Sequence, residues 1–157
     1  MKDMAIAPQF KNPAVPEDLA EWLGAVRLTH LALEAVQATD APMVEYRAGF
    51  GAPGHSYRMV LTLLTYAYAR GIFGSDEVED RTRTDLDLRY LAASDLPEAR
   101  VLRCFRQREW PRLHRSLANL LRAGLGVHGD DTSFDVDQEA ANRLDRAAAA
   151  DSLALDS

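Results

Sequence analysis

Fourteen consecutive residues leave this chain few options. Tyr57-Arg58-Met59-Val60-Leu61-Thr62-Leu63-Leu64-Thr65-Tyr66-Ala67-Tyr68-Ala69-Arg70 is apolar on nearly every side when wound as a helix. A helix without a polar face has to be surrounded by other elements, so it belongs in the middle of a bundle. Gly71 suits the position just past its end, because glycine accepts a positive φ. Tyr66, Tyr68, Trp22 and Trp110, at helical spacing in apolar surroundings, read as core or core-edge residues.

The flanking segments supply amphipathic partners for that centre. Pro16 opens a helix, with Glu17 and Asp18 at its positive end. Leu19, Trp22, Leu23 and Val26 follow at i, i+3, i+4 and i+7, and the stripe continues through Leu31, Leu33 and Val36. Residues 48–54 (Ala-Gly-Phe-Gly-Ala-Pro-Gly) interrupt regular structure. Ser75 caps the next helix, with Asp76 and Glu77 in its first turn, and Asp85 caps another through Leu86, Leu88, Tyr90 and Leu91. Asp95 and Glu98 have the spacing of a capping box around Pro97. The helix that follows puts Val101, Leu102 and Phe105 on one side and Arg100, Arg103 and Gln107 on the other. Pro111 opens a last clear helix, with Leu113, Leu117, Leu120 and Leu121 facing inward and Arg112, Arg115, Asn119 and Arg122 facing outward; Gly124 and Gly126 end it. No stretch alternates with the period of a strand. The expected fold is all-α, a compact helical bundle of about five to seven helices with a helix–turn–helix-like unit formed by 86–93 and 98–108. Residues 1–14, with two prolines and no periodicity, read as a flexible lead-in, and 127–157 as an acidic, alanine-rich tail, partly helical or disordered.

Charge is distributed unevenly. The net charge of −6 by itself argues against nucleic acid. Yet Pro97–Arg122 holds seven arginines against Glu98 and Glu109, a local +5, while Asp130–Ser157 carries a local −6. Screening acts over roughly 8–10 Å at physiological salt, so a phosphate on the arginine helices would hardly sense a distant tail. Arginines number sixteen against two lysines, which suits bidentate phosphate contacts but also follows from the codons of a high-GC genome. DNA binding needs cations that replace condensed counterions, carried on a rod that fits a groove ~12 Å wide. Arg100, Arg103, Arg106 and Arg108 are candidate phosphate contacts. Arg112, Arg115 and Arg122 would extend the surface, and Gln107 could reach base edges. The same pattern also fits the solvated face of a bundle.

Other chemistry finds little footing. The histidines at 30, 55, 114 and 128 lack metal-ligand spacing, so no metal or other cofactor is expected. Cys104 is the only cysteine; it reads as a half-buried structural thiol and fits a reducing, cytoplasmic setting. No apolar run reaches the ~18–20 residues of a membrane span.

Several segments, in order, resemble the N-terminal, InsH-like domain of DDE-type insertion-sequence transposases. Val15-Pro16-Glu17-Asp18-Leu19 is similar to the family's opening Val-Pro-Glu-Asp-His. Arg58-Met59-Val60-Leu61 and Tyr66-Ala67-Tyr68-Ala69-Arg70-Gly71-Ile72 resemble its central core, and Ser75-Asp76-Glu77-Val78-Glu79 its Ser-Ser-Arg-x-Ile-Glu. Asp85 to Leu91 resembles Asp-x-x-x-Arg-x-Leu, and Phe105-Arg106-Gln107-Arg108 its Phe-Arg-Arg-Arg. The resemblance covers about Val15–Gly126, a transposase N-terminal-like helical domain, and departs at Asp76 and at Pro97-Glu98-Ala99-Arg100-Val101-Leu102, where a basic residue and a threonine are usual. It implies double-stranded DNA, at transposon ends, as the partner. It places the family's first catalytic aspartate near Asp130-Asp131-Thr132, where no strand pattern follows to scaffold two further carboxylates, so no catalytic residue and no enzymatic activity are expected. The alternative is an interaction module, a homodimer or an inhibitor that pairs with full-length transposase, or an inactive remnant. A further expectation is that the acidic tail folds over the arginine face and competes with DNA.

Overall fold

The computed structural model describes residues 15–93, 95–126 and 134–156. The lead-in 1–14 and the Asp130-Asp131-Thr132 triplet lie outside the described residues. Among these residues the fold is all-α. Its helices are α1 (Ala20–Leu23), α2 (Ala25–Gln37), α3 (Tyr57–Ala69), α4 (Ser75–Thr82), α5 (Leu86–Ala92), α6 (Ala99–Arg108), α7 (Trp110–Leu125) and α8 (Val136–Asp156). A minimal antiparallel ladder of β1 (Glu45–Tyr46) and β2 (His55–Ser56) sits between α2 and α3. It brackets the irregular 48–54 segment as a hairpin.

α3 is the centre that its composition demands. Every residue from Val60 to Ala69 is buried, and α2, α5, α6, α7 and α8 all pack against the helix. The Ser56 hydroxyl accepts the Met59 N–H at 3.2 Å to start it. At its far end Gly71 takes φ +77°, the Gly71 N–H donates to Tyr68 O and the Ile72 N–H to Ala67 O. This is a Schellman closure, and it depends on the glycine. Inside, the Thr65 and Ser116 hydroxyls meet at 2.9 Å and satisfy each other between α3 and α7.

The first helix differs from the expected continuous stripe. Gly24, at φ +82°, breaks it into α1 and α2 and resets the phase. Leu19 stays buried, but Trp22, Val26 and Leu33 face solvent, and α2 buries Leu28, Leu31, Ala32, Ala35 and Val36 instead. Trp110 is also more than half exposed, because it stands at the first turn of α7. Gly124 lies inside α7 rather than ending it. A Cβ there would come within 2.9 Å of Leu23 and 3.2 Å of Leu31, so the glycine permits close packing. Gly126, at φ +69°, closes the helix as expected.

Within the alanine-rich tail the described residues are 134–156, and most of them are helical. α8 is 21 residues long and folds into the bundle against α7, α4 and α3, burying Val136, Ala140, Leu144 and Ala147. Its Arg143 is 2% exposed. The guanidinium donates to Tyr68 O at 2.7 Å, Glu17 O at 2.8 Å and Pro16 O at 2.9 Å, and pairs with Glu139 at 2.8 Å. It thereby closes the carbonyl end of α3, where a positive charge is favoured, and ties the Pro16–Glu17 segment to it.

Two helix starts are capped from a distance. Ser75 does not cap α4 with its own side chain; it is the first helical residue, and its N–H donates to Asp151 Oδ1 at 2.8 Å. The Asp95–Glu98 box does not form. Asp95 turns to His55 Nδ1 at 2.9 Å, while Glu79 accepts the Ala99 N–H at 3.0 Å. Asp85 does cap α5 locally, through the N–H groups of Asp87 and Leu88. Burial acts to raise the Asp85 pKa, but the Leu88 N–H and the Arg70 guanidinium at 2.9 Å outweigh it and hold the carboxyl below its ordinary value. The α5–α6 pair is not a mutually packed unit. The principal neighbours of α5 are α2, α3 and α4, and those of α6 are α3, α4 and α7.

Candidate nucleic-acid interface

α6 presents its side chains as three strips. The inward strip, Val101, Leu102 and Phe105, is buried. Phe105 fills the space between Tyr46 and Tyr57, with centroids 4.9 Å from each ring. Burial pushes both tyrosine hydroxyls up to about 12. For Tyr57 the Glu109 carboxylate, which accepts its hydroxyl hydrogen bond, adds to this, while Arg112 works the other way. A second strip faces α4 and α8, and the third faces solvent.

Arg106, expected as a phosphate contact, lies on the second strip and is withdrawn from solvent. Its Nε and Nη2 donate to Asp151 Oδ2 at 3.1 and 2.9 Å, and the same carboxylate accepts the Ser75 hydroxyl at 2.9 Å. Arg106 is 9% exposed and Asp151 2%. At ~100° per residue Arg106 lies about midway between the buried and the solvent-facing strips of α6. Only the position of Asp151, 45 residues downstream, resolves which way it turns.

The other candidates differ in how committed they are. Arg100, Gln107, Arg108, Arg115 and Arg122 are exposed. Arg100, Arg108 and Arg115 make no ion pair with any carboxylate among the described residues. Arg103 lies 3.6 Å from Asp76 and Arg122 4.0 Å from Asp137, in both cases with a largely exposed acid. Pairs of that kind contribute ~0–1 kcal/mol and yield readily to a phosphate. Arg112 is half-buried, its guanidinium 5.7 Å above the Tyr57 ring and 3.4 Å from the Tyr57 hydroxyl. It braces the start of α7 more than it faces solvent. With Arg106 buried and Arg112 engaged at Tyr57, the remaining candidates are Arg100, Arg103, Gln107 and Arg108 on α6 and Arg115 and Arg122 on α7, of which Arg103 is itself only partly exposed.

The acidic segment meets this surface, but as a built helix and not as a loose flap. Asp151 consumes Arg106, and Asp137 approaches Arg122. Cys104 is half-buried, with its thiol 3.5 Å from Ala48 O. His114 Nε2 lies 3.0 Å from Asp137 O, and the buried His55 is held by Asp95. No group of three or more His, Cys, Asp or Glu residues is placed to hold a metal ion among the described residues. No described helix is long and apolar enough to cross a membrane.

The motifs singled out in the sequence have visible jobs in this architecture. Arg70 pairs with Asp85 and lies 3.6 Å from Asp18, and the Tyr66 hydroxyl donates to Asp87 at 3.1 Å. Phe105 and Arg106 anchor α6 as described above. These residues hold the scaffold, while Gln107 and Arg108 beside them are exposed, the latter next to the Tyr46 hydroxyl.

Comparison with known proteins gives one result of substance. Residues 28–108, just over half of the chain, match the family model described as a transposase domain (DUF772). No curated protein and no solved structure gives a significant match.

Proposed function

Because the chain belongs to the transposase-domain family matched by residues 28–108, we propose that it is a DNA-binding module that engages transposon-end duplex through the open guanidinium groups of α6 and α7. The observation that carries this reading is the trio Arg100, Arg108 and Arg115: exposed, on successive helices with apolar undersides, and free of carboxylate partners among the described residues. An arginine without a carboxylate partner is ready to take a phosphate without first breaking an ion pair. Arg103 and Arg122 exchange weak surface pairs for phosphate contacts, and Gln107, on the same strip as Arg100, reaches toward base edges. Strand-transfer chemistry would come from carboxylates of a ribonuclease-H-like catalytic domain, with this module supplying the grip on DNA.

Phosphate contacts release counterions, so affinity for duplex must fall linearly with salt on logarithmic axes. Replacing Arg100 and Arg108 together by alanine is expected to lower the magnitude of that slope by about 2, one for each lost contact. Fluorescence anisotropy with a short labelled duplex across a salt series measures it. Affinity indifferent to ionic strength, or absent at ~50 mM salt, would sink the reading.

A second reading, pairing with another copy or with full-length transposase, is favoured by one surface. Leu86 (79% exposed), Tyr90 (68%) and Leu96 (48%) surround a shallow depression of about 490 Å³ beside Arg89. Under this reading the chain self-associates in light scattering, and Tyr90→Glu returns it to monomer. A chain that stays monomeric as concentration rises, and that fails to co-elute with a transposase, removes it.

A further inference from the structure

Phe50 is the most exposed large apolar side chain among the described residues, at 110% of its reference area, so none of them shields it. An aromatic ring held fully in water needs a reason, because its burial is a strong source of stabilisation. Phe50 stands at the tip of the hairpin between Gly49 and Gly51, the latter at φ +80°, which narrows the tip to one side chain between two bare backbone positions.

The tip is held in place. Glu45 pairs with Ser56 and Tyr46 with His55, and the Tyr57 N–H donates to Val44 O at 2.9 Å. The Ala52 N–H closes a turn onto Gly49 O at 3.0 Å, and the Arg47 guanidinium crosses the loop to Ala52 O. At its base the loop is fixed to α6, by Tyr46 against Phe105 and by the Cys104 thiol on Ala48 O. Arg100 leans over it: Nη2 is 3.5 Å from the position a Cβ on Gly49 would occupy. Glu45, an acid of the hairpin itself, is offset by Arg47 at 2.8 Å. A bare aromatic on a braced hairpin, next to a guanidinium with no carboxylate partner among the described residues, has the chemistry of a wedge that enters between base pairs while a neighbouring cation holds the phosphate.

We infer that the 45–56 hairpin is a second DNA-contacting element, with Phe50 inserting at a base step of duplex DNA and Arg100 holding the adjacent backbone. This inference rests on the DNA-binding reading above. Pyrimidine–purine steps unstack most easily, so TpA-containing duplex is the preferred occupant.

The test uses the full chain and a mixed-sequence duplex carrying 2-aminopurine beside its TpA steps, whose fluorescence rises on unstacking. Wild type is expected to bind and to raise the signal. Phe50→Ala should lose the signal and about tenfold in affinity while keeping the salt slope, since no phosphate contact is lost. Phe50→Trp should retain both affinity and signal, with its indole emission quenched by stacking. Phe50 supports nothing internally, so all variants should keep the wild-type circular dichroism. If Phe50→Ala binds as wild type does with the same fluorescence, the wedge is overturned while DNA binding stands. If wild type binds no duplex at low salt, both fail. A Phe50→Ala variant that binds DNA normally but loses self-association would reassign the tip to a protein contact and overturn the inference.

Discussion

Replacing Asp151 with alanine is expected to destabilise the protein by about 3–5 kcal/mol, the cost of leaving a buried charge without its partner. Domains of this kind are stable by only ~5–15 kcal/mol, so the change removes a large share of the total. One carboxylate accepts from the Arg106 guanidinium twice, from the Ser75 hydroxyl and from the Ser75 backbone N–H. Its loss uncaps α4, strands a guanidinium on α6 and frees the last third of α8 in a single stroke. Urea unfolding followed by circular dichroism measures the effect. Pairing Asp151→Ala with Arg106→Met should recover part of the loss, because the stranded charge goes too. A single-variant loss under ~1 kcal/mol, the level of a surface pair, would show that the buried pair has no structural weight. Because Asp151→Ala compromises the fold, any Arg106 it exposes adds nothing usable to the DNA surface.

Arg143→Met should cost a comparable ~3–5 kcal/mol, lowering the melting temperature by roughly 6–20 °C. The aliphatic length is kept, so the change isolates the guanidinium. Tyr68 O loses its donor in a buried position, Glu17 O and Pro16 O lose theirs in partly buried ones, and Glu139 loses its cation. Arg143→Lys should rescue little, because an ammonium is a compact point charge that cannot span carbonyls from two separate segments as a planar fork does. Differential scanning calorimetry of the three proteins decides it. Equal melting temperatures for wild type and Arg143→Lys would mean that charge alone, and not the fork, closes α3. Both substitutions also bear on the acidic segment: deleting it to uncover the arginine face would remove Arg143 and Asp151 together and unfold the domain.

What the sequence reveals, and what it hides, divides along the reach of each interaction. α3 is legible because its composition excludes any exposed face. Gly71, Asp85, Pro111 and Gly126 are legible because their effects act within a turn of where they stand. Ser75 and the Asp95–Glu98 box mislead for the opposite reason: residues 76 and 20 positions away deliver the caps that local spacing assigns to neighbours. Trp22 and Val26 fit a perfect stripe until one glycine at positive φ resets the helix phase. Arg106 and Arg143 look like surface charge in any composition count. The Glu139–Arg143 spacing is a weak signal of a pair, but nothing local announces that the guanidinium ends under α3. Among the candidate contacts, periodicity correctly separates Arg100, Gln107 and Arg115 from the leucine side, and it fails where an arginine sits on the seam.

The stretch that carries the family's pattern closes at Arg108, yet Arg106, inside it, finds its counter-ion on α8. A recombinant piece cut at the edges of the shared pattern would thus carry an orphaned cation in its interior and two helices whose starts and ends lack their remote donors and acceptors. Such a piece should be handed to chaperones and proteases rather than to DNA, and ancestry and autonomy of folding have different borders in this molecule.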